Sequence, residues 1–212
     1  MNLLSTLACA ALAAAACGAQ AAAPTFSAGG TSVPNAGMMS AVAGATTIDF
    51  NSGGAPANYS GGMVFLSDHP SYAAQPPLDL TPFFSVGVTD GQTTPGTATF
   101  SGGLSYFGFY MGSADTYNSV LFHGADNSNF TLSGAAMASL AGVSPNGDQR
   151  VGFYVNAWAA PGAAFTRIEF HSPTNAFETD NHAFINAVPE PETYAMLLAG
   201  LGLLTALRRR RP

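Results

Sequence analysis

The four histidines, His69, His123, His171 and His182, are the side chains best suited to bind a transition metal or relay a proton near neutral pH. No two of them have the i, i+4 spacing of a helical zinc motif, and none sits beside a cysteine. Scattered in this way they read as surface or hydrogen-bonded groups. Serines are abundant, yet no Gly-x-Ser-x-Gly elbow is present, and Ser52-Gly53-Gly54 lacks the lysine and helix of a phosphate loop. The carboxylates give a sharper pattern. Asp49 lies in TIDFN and Asp180-Asn181 in ETDNHAF, on the first and last strands of the principal domain. Such strands often lie side by side, so these oxygen ligands could hold a structural calcium ion, the one metal cofactor the sequence suggests. The competing reading is that Asp180-Asn181 forms a turn or bulge. Tyr106, Tyr110, Tyr154 and Trp158 could present a sugar-stacking face, against the alternative of half-buried sheet packing.

The elements that must position these residues are strands. The chain has 212 residues, with 24 glycines, 14 prolines and many phenylalanines and tyrosines, a composition that disfavours helix and suits an all-β domain. Short runs with turn residues between them predict about ten strands over residues 46–188. In RVGFYVNAW, Val151, Phe153 and Val155 face one way and Tyr154, Asn156 and Trp158 the other. In FTRIEFH, Thr166, Ile168 and Phe170 oppose Phe165, Arg167, Glu169 and His171. The first set in each case is expected to face the core. Ala135–Ala141 is predicted as a short helix. Together these features predict a jelly-roll-like antiparallel β-sandwich ectodomain over residues 45–187, preceded by a flexible leader over 22–44.

Charge excludes one class of partner. There is no lysine, and outside the C-terminal cluster the only arginines are Arg150 and Arg167, against ten acidic residues between Asp49 and Asp180. Such a surface repels nucleic acid. Both cysteines, Cys9 and Cys17, precede the domain, which therefore has no disulfide to rely on.

The ends of the chain carry signals of a different kind. Residues 1–21 have the apolar centre and small-residue exit of a secretory signal peptide, with Ala19 and Ala21 at the expected signal peptidase site. At the other end, Val188-Pro189-Glu190-Pro191 precedes 14 uncharged residues, Tyr194 to Leu207, and then Arg208, Arg209, Arg210 and Arg211. As a helix the apolar run spans about 21 Å at about 1.5 Å per residue, short for a hydrocarbon core about 30 Å thick. The arginines decide in favour of a membrane segment, because a cationic cluster fixes the cytoplasmic side and can extend the span by snorkelling. The prolines hold the preceding strip extended, as a protease requires.

Val-Pro-Glu-Pro, a short apolar helix and a terminal arginine cluster, in that order over residues 188–212, closely resemble the PEP-CTERM sorting signal of Gram-negative bacteria. The resemblance implies export through the inner membrane, a transient hold by a single transmembrane helix, and cleavage by an exosortase near Pro189-Glu190-Pro191. The product would reside at the cell surface or in the extracellular polysaccharide matrix of a biofilm. SYFGFYMGSADTYNSVLFHG together with AFETDNHAF also resembles a recurring PEP-CTERM ectodomain, which implies a β-sandwich surface domain without assigned chemistry. The expected function is accordingly a non-enzymatic, exosortase-processed surface or matrix protein. A carbohydrate-binding, lectin-like module of the same fold that contacts exopolysaccharide is the alternative, and a secreted hydrolase a second.

Overall fold

The computed structural model describes residues 22–89, 91–188 and 197–202. Its strands are β1 (Thr25–Ala28), β2 (Thr31–Ser32), β3 (Met38–Met39), β4 (Thr46–Ile48), β5 (Tyr59–Ser60), β6 (Met63–Phe65) and β7 (Phe83–Val86). There follow β8 (Gly96–Met111), β9 (Ser119–Gly124), β10 (Asn129–Ser133), helix α1 (Gly134–Ala141), β11 (Phe153–Trp158), β12 (Phe165–His171) and β13 (Phe177–Asn186). The all-β expectation holds, as one large antiparallel sheet. Eleven strands join it, in the order β10-β9-β12-β8-β13-β7-β6, with β1, β4, β5 and β11 attached beside this path. β2 and β3 pair with each other apart from it.

The 16-residue strand β8 organises the sheet. Its first half pairs with β5 and β12, its second half with β11 and β13. Between the halves stands Gly102-Gly103, with Gly103 at φ 70°, a left-handed geometry that costs glycine little. The two arms thus created turn their phenylalanines onto a common core. Phe107 and Phe109 from β8, Val155 from β11, Phe122 from β9, and Ile168 and Phe170 from β12 belong to one buried cluster.

Phe170 lies at its centre. Its ring meets Phe109 at 5.3 Å, Phe177 at 5.7 Å and the His182 ring at 5.0 Å, the last pair nearly parallel. Aromatic groups of this size dominate core energetics, and edge or offset contacts add to what burial contributes. Helix α1, expected over residues 135–141, starts at Ser133, whose hydroxyl accepts from the Ala136 N–H, and ends on Gly142 in left-handed geometry.

Two expectations need correction. Residues 22–44 are not a loose leader throughout. Thr25–Ala28 pair with Val155–Trp158 as β1, and Met38, Val42 and Ala45 pack on a second buried cluster. Phe165 was expected to face outward, but a register shift between Phe165 and Arg167 turns its ring to 5.0 Å from Phe122. The expected signal peptide, with Ala19 and Ala21, lies outside the described residues.

Candidate functional site

The four aromatic residues predicted to stack on sugars form a buried cluster instead. Tyr106, Tyr110 and Tyr154 are at most 2% exposed, and Trp158 packs half-buried beside Tyr106. Their side of the sheet is covered by residues 36–45 and by the loop 74–81. Each phenol is also committed. Tyr106 Oη donates to Asn156 Oδ1 at 2.7 Å and meets Ser40 Oγ at 2.7 Å. Tyr154 Oη donates to the Asn181 carbonyl at 2.9 Å, and Tyr110 Oη donates to the Pro77 carbonyl. Burial raises the pKa of all three phenols, so they stay neutral hydrogen-bond donors. The alternation along β11 sets Tyr154 and Trp158 on the side away from Phe153 and Val155, but does not show the layer that covers them.

β4 does pair with β13, Ile48 opposite His182, but the three predicted calcium ligands stand in different surroundings. Asp49 stands in an exposed turn and accepts from Asn51, through the backbone N–H at 3.2 Å and the side-chain amide at 2.9 Å. Asp180 is fully buried and turned toward Asp79 and Thr81. Asn181 has φ 50° at a register shift in β13, and its amide donates to the Ala36 carbonyl at 2.7 Å. The bulge reading of Asp180-Asn181 is the one realised. Among the described residues no group of three or more His, Cys, Asp or Glu side chains is placed to hold a metal ion.

The histidines divide into three settings. His123 and His171 flank Glu169 at 3.2 Å each, with Arg167 Nε at 3.0 Å from the same carboxylate. His182 is fully enclosed by aromatic rings. The Tyr59 hydroxyl lies at 2.8 Å from its Nδ1 and Thr179 Oγ1 at 2.9 Å from its Nε2. His69 stacks on Tyr72 with ring centroids 3.9 Å apart, in the wall of a cleft.

That cleft is built from residues far apart in sequence, and no motif points to it. It has a volume of about 350 Å³ and is lined by Asp68, His69, Tyr72, Gln149, Asn175 and Glu178, with small residues between them. Its parts come from the loop after β6, the turn before β11 and the start of β13, distant in sequence. Glu178 is 6% exposed, and its Oε1 accepts from the Ala74 N–H at 2.8 Å. Burial pushes its carboxyl up to about 7; the Ala74 N–H opposes the rise, and Asp115 and Asp68 add to it. A carboxyl poised between acid and base, beside stacked rings and two amides, can donate and accept hydrogen bonds to a polar ligand.

The last feature is the exit of the chain. The Ala187 N–H donates to the Gly103 carbonyl at 3.0 Å, and one residue later Val188 is 83% exposed. Pro189, Glu190, Pro191 and Arg208–Arg211 lie outside the described residues, while residues 197–202 are helical. Among the described residues no helix is long and apolar enough to cross a membrane. The family described as the PEP-CTERM protein-sorting motif matches residues 187–211. The chain carries a PEP-CTERM sorting motif. That motif implies export, sorting to the cell surface and processing by exosortase. The PEP-CTERM match begins at Ala187, the residue bonded to Gly103 of β8. Among solved structures, the K2 cleaved adhesin domain of Lys-gingipain aligns with 66% of this chain and 99% of that one, at a TM-score of 0.39 and 14% identity. No curated protein matches the chain.

Proposed function

We propose that this is a non-enzymatic structural protein of the cell surface or extracellular matrix, exported by a signal peptide and released from its tail by exosortase. The observation that carries this reading is the PEP-CTERM motif over residues 187–211, directly behind a domain whose last strand ends at Asn186. Residues 1–21 would be removed by signal peptidase after Ala21. The apolar segment would hold the chain in the inner membrane with Arg208–Arg211 on the cytoplasmic side while Val188-Pro189-Glu190-Pro191 is engaged. Facing arms of sheet around one aromatic core support a jelly-roll-like sandwich as the exported domain. Alanine at Pro189, Glu190 and Pro191 is expected to leave the tail attached, and mass spectrometry of the protein from its native host reads this directly. An identical mature C terminus in wild type and variant would end the proposal.

The cleft favours a second reading, as a carbohydrate-binding module. Sugar hydroxyls suit its mixture of amides, carboxyls and stacked rings, whereas the tyrosine cluster is closed. Matrix polysaccharide is expected to bind wild type, and Glu178→Gln is expected to weaken binding at least tenfold in titration calorimetry. Binding equal in both proteins would remove Glu178 from the site. Reducing ends released during the same assay would favour the hydrolase instead, with Glu178 and Asp68 as its acids.

A further inference from the structure

Two carboxyl groups face each other beneath the loop that covers β13. Asp79 belongs to residues 74–81, a strap laid over the sheet, and Asp180 stands at the β13 bulge. They are 2% and 0% exposed. Thr81 touches both: its Oγ1 is 2.6 Å from Asp79 Oδ1 and 3.1 Å from Asp180 Oδ2, and its N–H donates to Asp79 Oδ1 at 2.9 Å. The remaining oxygens, Asp79 Oδ2 and Asp180 Oδ1, are buried with no hydrogen-bond partner. A hydroxyl carries one proton and cannot serve four carboxylate oxygens.

Among the described residues no cation relieves the pair. The charged or titratable groups that face it are Tyr110 from β8 and Tyr154 from β11, both neutral phenols. Arg150 is paired with Asp148 and Arg167 with Glu169. Two adjacent carboxylates in a dry site cannot both stay ionised, and the inexpensive remedy is for one of them to keep its proton.

We propose that Asp79 and Asp180 share a single proton, and that this proton fastens the 74–81 strap to β13. The shared proton supplies what both orphaned oxygens lack, a donor for one and an acceptor for the other. Calcium fits the space poorly: two carboxylates and one hydroxyl fall short of the six to eight oxygens it takes, and the orphaned atoms are shut off from water. Burial, together with the hydrogen bond and negative charge of Asp79, raises the Asp180 carboxyl to about 9. The same strap supplies Ala74 to the cleft, and its N–H to Glu178. Loss of the proton sets two negative charges against each other and loosens the cleft wall.

The sign of the pH effect follows from linkage. The folded chain retains this proton up to about pH 9, whereas an unfolded aspartate loses it near pH 4. Its stabilising effect is full below the lower value and is lost progressively as pH rises to the upper one. The test uses the full chain, wild type and Asp180→Asn, unfolded by denaturant at several pH values between about 7.5 and 9. The asparagine amide donates to Asp79 without titrating. Relative to the variant, the wild-type unfolding constant is expected to rise about tenfold per pH unit. Parallel pH profiles would overturn the proposal. A second measurement needs no variant: infrared spectra of wild type near pH 8, above the Glu178 value, are expected to keep one protonated-carboxyl band that vanishes above about pH 9. Absence of that band would overturn the shared proton. A wild-type melting temperature that moves with calcium or chelator, and not in Asp180→Asn, would overturn it in favour of a bridging cation.

Discussion

Phe170→Ala is expected to lower the unfolding free energy by about 3–5 kcal/mol, the range for truncating a buried phenylalanine. Domains of this size are stable by only about 5–15 kcal/mol, so this one change consumes much of the margin. The expectation rests on position. Phe170 is fully buried, lies within ring-contact distance of Phe84, Phe107, Phe109, Phe177 and His182, and sits where both arms of the sheet meet. No disulfide is available to compensate, because both cysteines precede the domain. Urea denaturation of the two proteins at neutral pH measures the difference. A loss below about 1 kcal/mol would mean that neighbouring rings collapse into the space, and that the core is not organised around this residue.

Acid is expected to be nearly as damaging through His182. Burial depresses its imidazole from 6.5 to about 3, since a charged ring would stand among Phe50, Phe84, Phe107, Phe109 and Phe170. Its stabilising contribution is therefore complete above pH 6.5, where the unfolded histidine is neutral too. It falls by about 1.4 kcal/mol per pH unit as pH drops from there to about 3. Glu178 and Asp180 act in the opposite sense over part of this window, because the folded chain holds protons that the unfolded chain releases. A single profile mixes these effects, so the informative quantity is the difference between wild type and His182→Gln, which cannot titrate at that position. That difference is expected to narrow steadily as pH falls from about 6.5 toward 3. Parallel profiles would show that the native ring gains a proton as easily as an exposed one.

The strands that alternate strongly were legible before any coordinates. FYVNAW and FTRIEFH carry a face of Phe, Val and Ile that can only be satisfied in a core, and Ile168, Phe170, Phe153 and Val155 are found there. The tail was legible for a different reason: its recognition depends on the order of local elements and needs no fold. What escaped is long-range. Residues 25–39 are mostly small and polar, without an apolar period; β1 forms against β11, β2 and β3 against each other, and residues 35–37 bond to the strap. Tyr106, Tyr110 and Tyr154 read as exposed because alternation reports which side of a sheet a residue occupies, never whether that side is roofed. Asp79 had no sequence signal at all. Its partner lies 101 residues away (180 − 79) on β13, and only the fold brings the two carboxyls together.

The exit of the chain from β13 has a mechanical consequence. β13 is bonded to β8 along one edge and to β7 and β4 along the other. Under the proposed transient hold of the tail in the bilayer, tension applied through Ala187 would pull along this strand and load its cross-strand hydrogen bonds sideways, many at once. An edge strand in the same position would peel open one bond at a time. The domain would thus meet such a load with a strand bonded along both edges.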